Sequence, residues 1–248
     1  MSMDFYLEHY DSILREVIRW RAVPLFLLQD LSGYSGTKTS FCRVIRNLEA
    51  KGLLKAGHFS GMAKVVYPTA ELAAITKSKG ILIQEESLSH EAMVTLVCCE
   101  LLTWEVFKGS KLPHEVSGRG LDEGVRRLPD AVLEGTNMGR PFKLALEMEI
   151  SRKSKIRVKN KIEDYLNNNV FEYVLYLFND RGTYEGYKRI LLEVMTGKDV
   201  KKSQQAEIRF MFGFKPKFIS HNCRLQDIEL FYRGKLTSLE SVFGKKRG

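Results

Sequence analysis

The change of period along the first seventy residues constrains the fold most. Phe5, Tyr6, Ile13, Leu14, Val17, Ile18 and Trp20 recur at three- and four-residue steps, so residues 3 to 20 read as an amphipathic helix. Pro24 suits the first turn of a second helix, 24 to 31, and Gly33 its stop. Ser35-Gly36-Thr37 opens a third helix, 37 to 51, with Phe41, Val44, Ile45 and Leu48 on one face and Lys38, Arg43, Arg46 and Asn47 on the other; Gly52 ends it. Leu53 to Gly57, a turn around Ser60-Gly61, and Lys64 to Thr69 then predict a short two-stranded ribbon.

Three helices followed by a ribbon, carrying the phrase RNLEAKGLL…YPT, resemble the winged helix domains of bacterial DNA-binding proteins. The resemblance implies that the third helix enters the major groove and the ribbon tip touches backbone or minor groove. It nominates Lys38, Thr39, Arg43, Arg46, His58 and Lys64 as DNA contacts. The competing reading makes these an ordinary solvated face on a domain that binds protein. A net charge of +9 suits a polyanionic partner, because Lys and Arg displace counterions from phosphates. No stretch reaches the ~18 to 20 apolar residues of a membrane span, and Asp4, Glu8 and Asp11 stand where a signal peptide carries basic charge, so a cytoplasmic protein without membrane insertion is expected. Cys42, Cys98, Cys99 and Cys223 show no zinc spacing and read as reduced thiols.

Beyond Thr69 the pattern predicts a helix at 70–77, a brief strand or extended link at 81–86, and an apolar helix at 88–107 whose stripe contains Met93, Val97, Glu100 and Trp104. Strands follow at 127–133 and 141–151, a basic helix at 154–166, a strand at 171–178, a helix at 183–195, and strands near 206–212 and 226–232. Interleaved helices and buried-looking strands indicate an α/β (α+β overall) architecture with a mixed central sheet, in two domains, 1–80 and 81–248. Lys245-Lys246-Arg247 reads as a solvated basic tail.

Strand period places Ala145, Glu147 and Glu149 on one face and Leu144, Leu146, Met148 and Ile150 on the other. Two carboxylates side by side on a strand are costly unless they are wet or hold a cation. Pro129-Asp130 on the preceding strand adds a third, and two adjacent strands can offer such oxygens to a hard divalent ion. The order of helix, Asp strand, Glu strand, helix, strand resembles the PD-(D/E)xK nuclease fold, with Pro129-Asp130 and Glu147-x-Glu149 as its motif. Glu149 stands where that motif usually has lysine. The resemblance implies that Asp130 and Glu147 hold Mg²⁺ or Mn²⁺, that Glu149 orients or deprotonates a water, that Glu100 is the fold's optional first acidic ligand, and that Lys153 or Lys155 stands in for the missing lysine. Arg152, Lys153, Lys155, Arg157, Lys159 and Lys161 crowd six basic residues into ten positions, spread around a helix with a narrow seam at Ile156 and Ile162; beside a metal site they would grip phosphates, and away from one they would only solubilise.

The longer phrase LEMEISRKSKIRVKNKIEDYL, with the winged helix, looks like the replication-relaxation family, which includes the MobC-type relaxases of mobilisable plasmids. That resemblance implies nicking of double-stranded DNA at a transfer origin to initiate conjugation, beside an accessory mobilisation protein and a coupling ATPase. No H-x-H pair forms among His9, His58, His90, His114 and His221, so the histidine-metal relaxase mechanism is disfavoured. Tyr165, Tyr173, Tyr176, Tyr184 and Tyr187 are candidates for a nucleophile but read first as core and surface aromatics. Two further functions fit the same residues: a non-catalytic DNA-binding regulator, and an endonuclease of a defence or transposition system.

Overall fold

The computed structural model describes residues 7–58, 64–116, 128–197, 199–216 and 224–246. Phe5, Tyr6, the Ser60-Gly61 turn, Arg127, His221, Cys223 and Arg247 lie outside them. The described chain divides into two compact units, one up to Leu96 and one from Val97 onward.

In the first unit, α1 (Asp11–Trp20) buries Ile13, Leu14, Val17 and Trp20, the face its period predicts. After β1 (Val23–Pro24) and α2 (Leu25–Leu31) comes α3 (Lys38–Ala50), capped by Thr37, whose Oγ1 accepts the Ser40 N–H at 3.2 Å. Strands β2 (Leu54–His58) and β3 (Lys64–Pro68) pair antiparallel, and the sheet order is β1-β3-β2. This is a winged helix-turn-helix. The expectation missed β1: Pro24 belongs to a two-residue edge strand paired with Val65, not to the first helical turn. Proline is tolerated at a sheet edge, where no N–H is required of it, and two residues carry no readable period. Next comes α4 (Ala70–Thr76), ended by Lys77 in the left-handed region at φ 52°. Residues 81–84 have no regular secondary structure and lead into a 3₁₀ turn at Glu85–Ser87, which takes the last positions of the link expected at 81–86.

The unit boundary falls within α5 (Leu88–Leu101), which is shorter than expected. Trp104 leaves the helical register to form an antiparallel bridge with Lys246, and Phe107, expected as the last helical residue, opens β4 (Phe107–Lys111). Strands β5 (Ala131–Asn137) and β6 (Arg140–Glu149) form a hairpin whose turn, Met138-Gly139, has both residues at positive φ, the geometry that matches strand twist. Then follow α6 (Lys155–Leu166), β7 (Tyr173–Phe178), α7 (Arg181–Met195), α8 (Val200–Arg209), β8 (Phe210–Phe214), β9 (Glu229–Tyr232), β10 (Lys235–Thr237) and α9 (Leu239–Phe243). Residues 206–209, expected as strand, complete α8, and a 3₁₀ turn at Leu225–Asp227 takes the first positions of the expected strand at 226–232.

These strands make one seven-stranded sheet in the order β10-β9-β8-β7-β6-β5-β4. Its centre, β6-β7-β8, is parallel, and both flanks are antiparallel. The mixed sheet flanked by helices is the α+β architecture expected. Central strands are covered on both faces, so Leu144 through Glu149 are all buried and the polar face suggested by strand alternation does not exist. At Gly135 on β5 an added Cβ would meet the Val106 carbonyl oxygen at 2.4 Å and the Phe142 ring at 2.6 Å. Backbone cannot yield as a side-chain tip can, so Gly135→Ala is expected to destabilise the sheet unit by about 1–3 kcal/mol in urea unfolding.

Candidate active site

β6 delivers two carboxylates to the carboxyl end of the parallel strands, the end at which open α/β sheets bind ligands. Glu147 and Glu149 are 1% and 6% exposed. Asp130, just before β5, is drawn to the same place by backbone pairing: its N–H donates to the Leu146 carbonyl, and its Oδ2 accepts the Met148 N–H at 2.7 Å. Asp130 is thereby held against β6 beside Glu147, close enough for its charge to act on both glutamates.

α6 returns across this edge. Its buried stripe is Val158, Ile162, Tyr165 and Leu166; Ile156, expected in the seam, is exposed. That orientation sends Lys161 and Tyr165 to Glu147. Lys161 Nζ lies 2.5 Å from Oε2, and the Tyr165 hydroxyl donates to Oε1. Burial raises the Glu147 carboxyl from 4.5 to about 7; the Asp130 charge adds to the rise, and Lys161 and Tyr165 oppose it. Glu149 is also raised, first by burial, against the pull of Lys161, Lys153 and a hydrogen bond from Tyr187. Burial alone would lower Lys161; the Glu147 carboxylate outweighs it and holds the ammonium above its ordinary value.

A cavity of about 210 Å³ opens on this cluster, lined by Glu149, Lys153, Arg157, Lys161, Tyr187 and Leu128. A second, of about 230 Å³, shares Lys153 and Tyr187 with it and adds Arg152, Lys155, Thr183 and Arg189. One carboxylate, Glu149, thus shares a cavity with three cations, Lys153, Arg157 and Lys161.

The remaining sequence candidates are distributed as follows. Lys155 is tied to Glu193 at 2.8 Å, Lys153 donates to Ser151 Oγ, and Lys159 and Arg152 are exposed. Glu100 is held by Lys246 at 3.0 Å and accepts the Leu225 N–H, and it does not figure among the charges acting on Glu147. Lys246 is therefore not the solvated tail residue expected. Chain position misled there, because the ion pair closes across 146 residues. In the first unit, Lys38, Thr39, Arg43 and Arg46 are exposed along α3, and His58 is exposed at the end of β2. Lys64 pairs with Glu49 at 3.0 Å, which spends its charge inside the protein.

The sequence singled out Lys161 only as one of six basic residues and Tyr165 only as one of five tyrosines that read first as core and surface aromatics, not as partners of Glu147. The signal was present: Lys161 lies one position before buried Ile162, and Tyr165 three after it, so both border the face α6 buries.

The donors fit a hard divalent cation in kind, being carboxylate oxygens of buried Glu147 and Glu149 and half-buried Asp130. The Tyr176 hydroxyl, fully buried and acted on by Glu147 and Glu149, has no hydrogen-bond partner among the described residues, as expected where a polar group belongs. Among the described residues no three His, Cys, Asp or Glu side chains are already arranged around a common point, and Lys161 supplies the positive charge at Glu147. No helix among the described residues is long and apolar enough to cross a membrane.

No protein-family model and no curated protein matches the chain. Among solved structures, restriction endonuclease FokI bound to DNA is matched at 12% identity and a TM-score of 0.25, over 77% of this chain and 42% of that one. The chain thus spans under half of that enzyme, and a likeness so slight constrains neither fold nor activity.

Proposed function

We propose that the protein binds double-stranded DNA through residues 1–80 and cleaves a phosphodiester, in the presence of Mg²⁺ or Mn²⁺, through residues 81–248. The observation that carries this reading is the cluster of buried Glu147 and Glu149 with half-buried Asp130 and Lys161, of which Glu149 and Lys161 line a cavity shared with Lys153 and Arg157. A purely structural role gives no reason to bury two glutamates beside a third carboxylate with one ion-paired lysine, Lys161.

Asp130 and Glu147 would hold the cation, which would polarise the phosphate and acidify a bound water. Glu149, whose carboxyl burial raises, would accept a proton from that water. Lys161, which lines the same cavity, would stand in for the lysine that the Glu147-x-Glu149 motif lacks and would neutralise charge on the reacting phosphate once a cation shared Glu147. Arg152, Lys153, Arg157 and Lys159 hold the flanking backbone. The finer reading, nicking at a plasmid transfer origin beside an accessory protein and a coupling ATPase, rests on the family resemblance of the sequence. Supercoiled DNA incubated with the protein and Mn²⁺ should convert to the relaxed form and stay supercoiled under chelation; linear product would favour a double-strand cutter, and no product under any divalent ion would sink the enzyme in favour of a regulator.

DNA binding has its own test. Lys38→Ala and Arg43→Ala should each weaken duplex binding and shallow the plot of log affinity against log salt by about one. A slope unchanged in both variants would remove α3 from the interface.

A further inference from the structure

We propose that the sheet unit carries a second binding site, for a nucleotide-like ligand, between α8 and the start of β7, at the end of the sheet opposite the carboxylates; it is independent of the cleavage reading. Tyr173, at this end, pairs with Leu144, whereas Glu149 pairs with Phe178, five residues along. At ~3.3 Å per residue the two places are roughly 17 Å apart.

The site is a cavity of about 350 Å³, within the ~300–1,000 Å³ range of small-molecule pockets. Its defining group is Arg209, the last residue of α8, only 6% exposed. Nη2 donates to the Asn168 and Phe171 carbonyls at 2.8 and 2.7 Å, which fixes the guanidinium. Nε and Nη1 have no hydrogen-bond partner among the described residues. A buried guanidinium with two idle nitrogens is costly, and it is the group best shaped to receive an oxyanion. The nearby acid, Glu172, already accepts the Lys143 N–H at 2.6 Å. A second cation, Arg233, borders the same cavity with its guanidinium over the Tyr232 ring.

The walls are apolar and planar. Phe171, Tyr173 and Tyr232 line the cavity, and Ile208, 49% exposed, stands at its rim. Tyr232 is locked by its hydroxyl, which donates to the Ile208 carbonyl at 2.8 Å. Two arginines want an anion and three aromatic rings want a flat apolar body, a combination that a nucleotide supplies in one molecule.

The test is calorimetric titration of the whole protein, without divalent metal, with thymidine 5′-monophosphate, thymidine and inorganic phosphate. The monophosphate should bind at one site, with thymidine and phosphate each weaker by more than about tenfold. Arg233→Ala and the rim substitution Ile208→Glu, neither of which removes buried core, should weaken the monophosphate by a similar factor while leaving circular dichroism unchanged. Arg209→Met, where it folds, should abolish binding. Absence of saturable binding to the wild type would overturn the proposal. So would equal affinity for thymidine or for inorganic phosphate, and so would an affinity indifferent to Ile208→Glu and Arg233→Ala, which would point to the carboxylate cavity instead.

Discussion

Asp130→Asn is expected to reduce metal-dependent DNA nicking by about a hundredfold or more while leaving the fold and DNA affinity intact. Asparagine is the informative choice because Asp130 does two things at once. Its Oδ2 accepts the Met148 N–H, a duty an amide oxygen can perform, and its charge presses on Glu147, Glu149 and Lys161, which an amide cannot do. Asp130→Ala would lose both and confuse them. Lys161→Ala should also lose nicking, but with a different side effect: Glu147 forfeits its cation and rises further above its already elevated value. Plasmid relaxation assays on both variants, with duplex binding as the control, separate the readings. Full nicking by Asp130→Asn would refute the metal site; full nicking by Lys161→Ala would leave that site standing and strip the lysine of its role.

The difference between those two residues also marks how far the sequence was legible. Asp130, Glu147 and Glu149 could be found because a carboxylate in an apolar strand contradicts its surroundings, and that contradiction is visible in one dimension. Lys161 was hidden by company: five other basic residues lie within the same ten positions, and only the rotation of α6, set by Val158, Ile162 and Tyr165, selects the one that turns inward. Ile156 shows the same limit from the other side, an apolar residue left in solvent because the helix phase was set elsewhere.

The fold divides along the same line. Amphipathic α1 and α3 carry their period over ten and thirteen residues and were readable. β1 is two residues long, too short to print a period, and β4, Phe-Lys-Gly-Ser-Lys, has a single large apolar residue; both pair with a partner strand that the sequence does not announce. The seven-stranded sheet adds strands at its margins for that reason, and Lys246 finds Glu100 only after the chain has closed.

Glu147→Gln should lose less stability than the wild type on going from pH 5 to pH 8, and the sign follows from the direction of the shift. Folded Glu147 titrates at about 7, against an ordinary 4.5. Between those values the folded state keeps a proton that the unfolded chain releases, so wild-type stability is fully present below 4.5 and declines as pH rises toward 7. The gap corresponds to about 3 kcal/mol, the cost of ionising a carboxyl that burial and Asp130 both oppose and that Lys161 and Tyr165 only partly offset. Glutamine occupies the same space and has nothing to ionise. Without the Glu147 carboxylate Lys161 keeps only the burial that lowers it, which costs the variant stability at pH 5 and pH 8 alike and leaves the difference between the two pH values to Glu147. Urea unfolding at pH 5 and pH 8 should therefore show a smaller loss on going alkaline in Glu147→Gln than in the wild type, with Glu149 contributing equally to both. Equal losses would mean that Glu147 is not held up by its surroundings. The expected result puts instability and chemistry on one residue: a carboxylate the fold would rather protonate is one that gains from a divalent cation, so Mn²⁺ should recover part of the pH 8 deficit in the wild type and none of it in the variant.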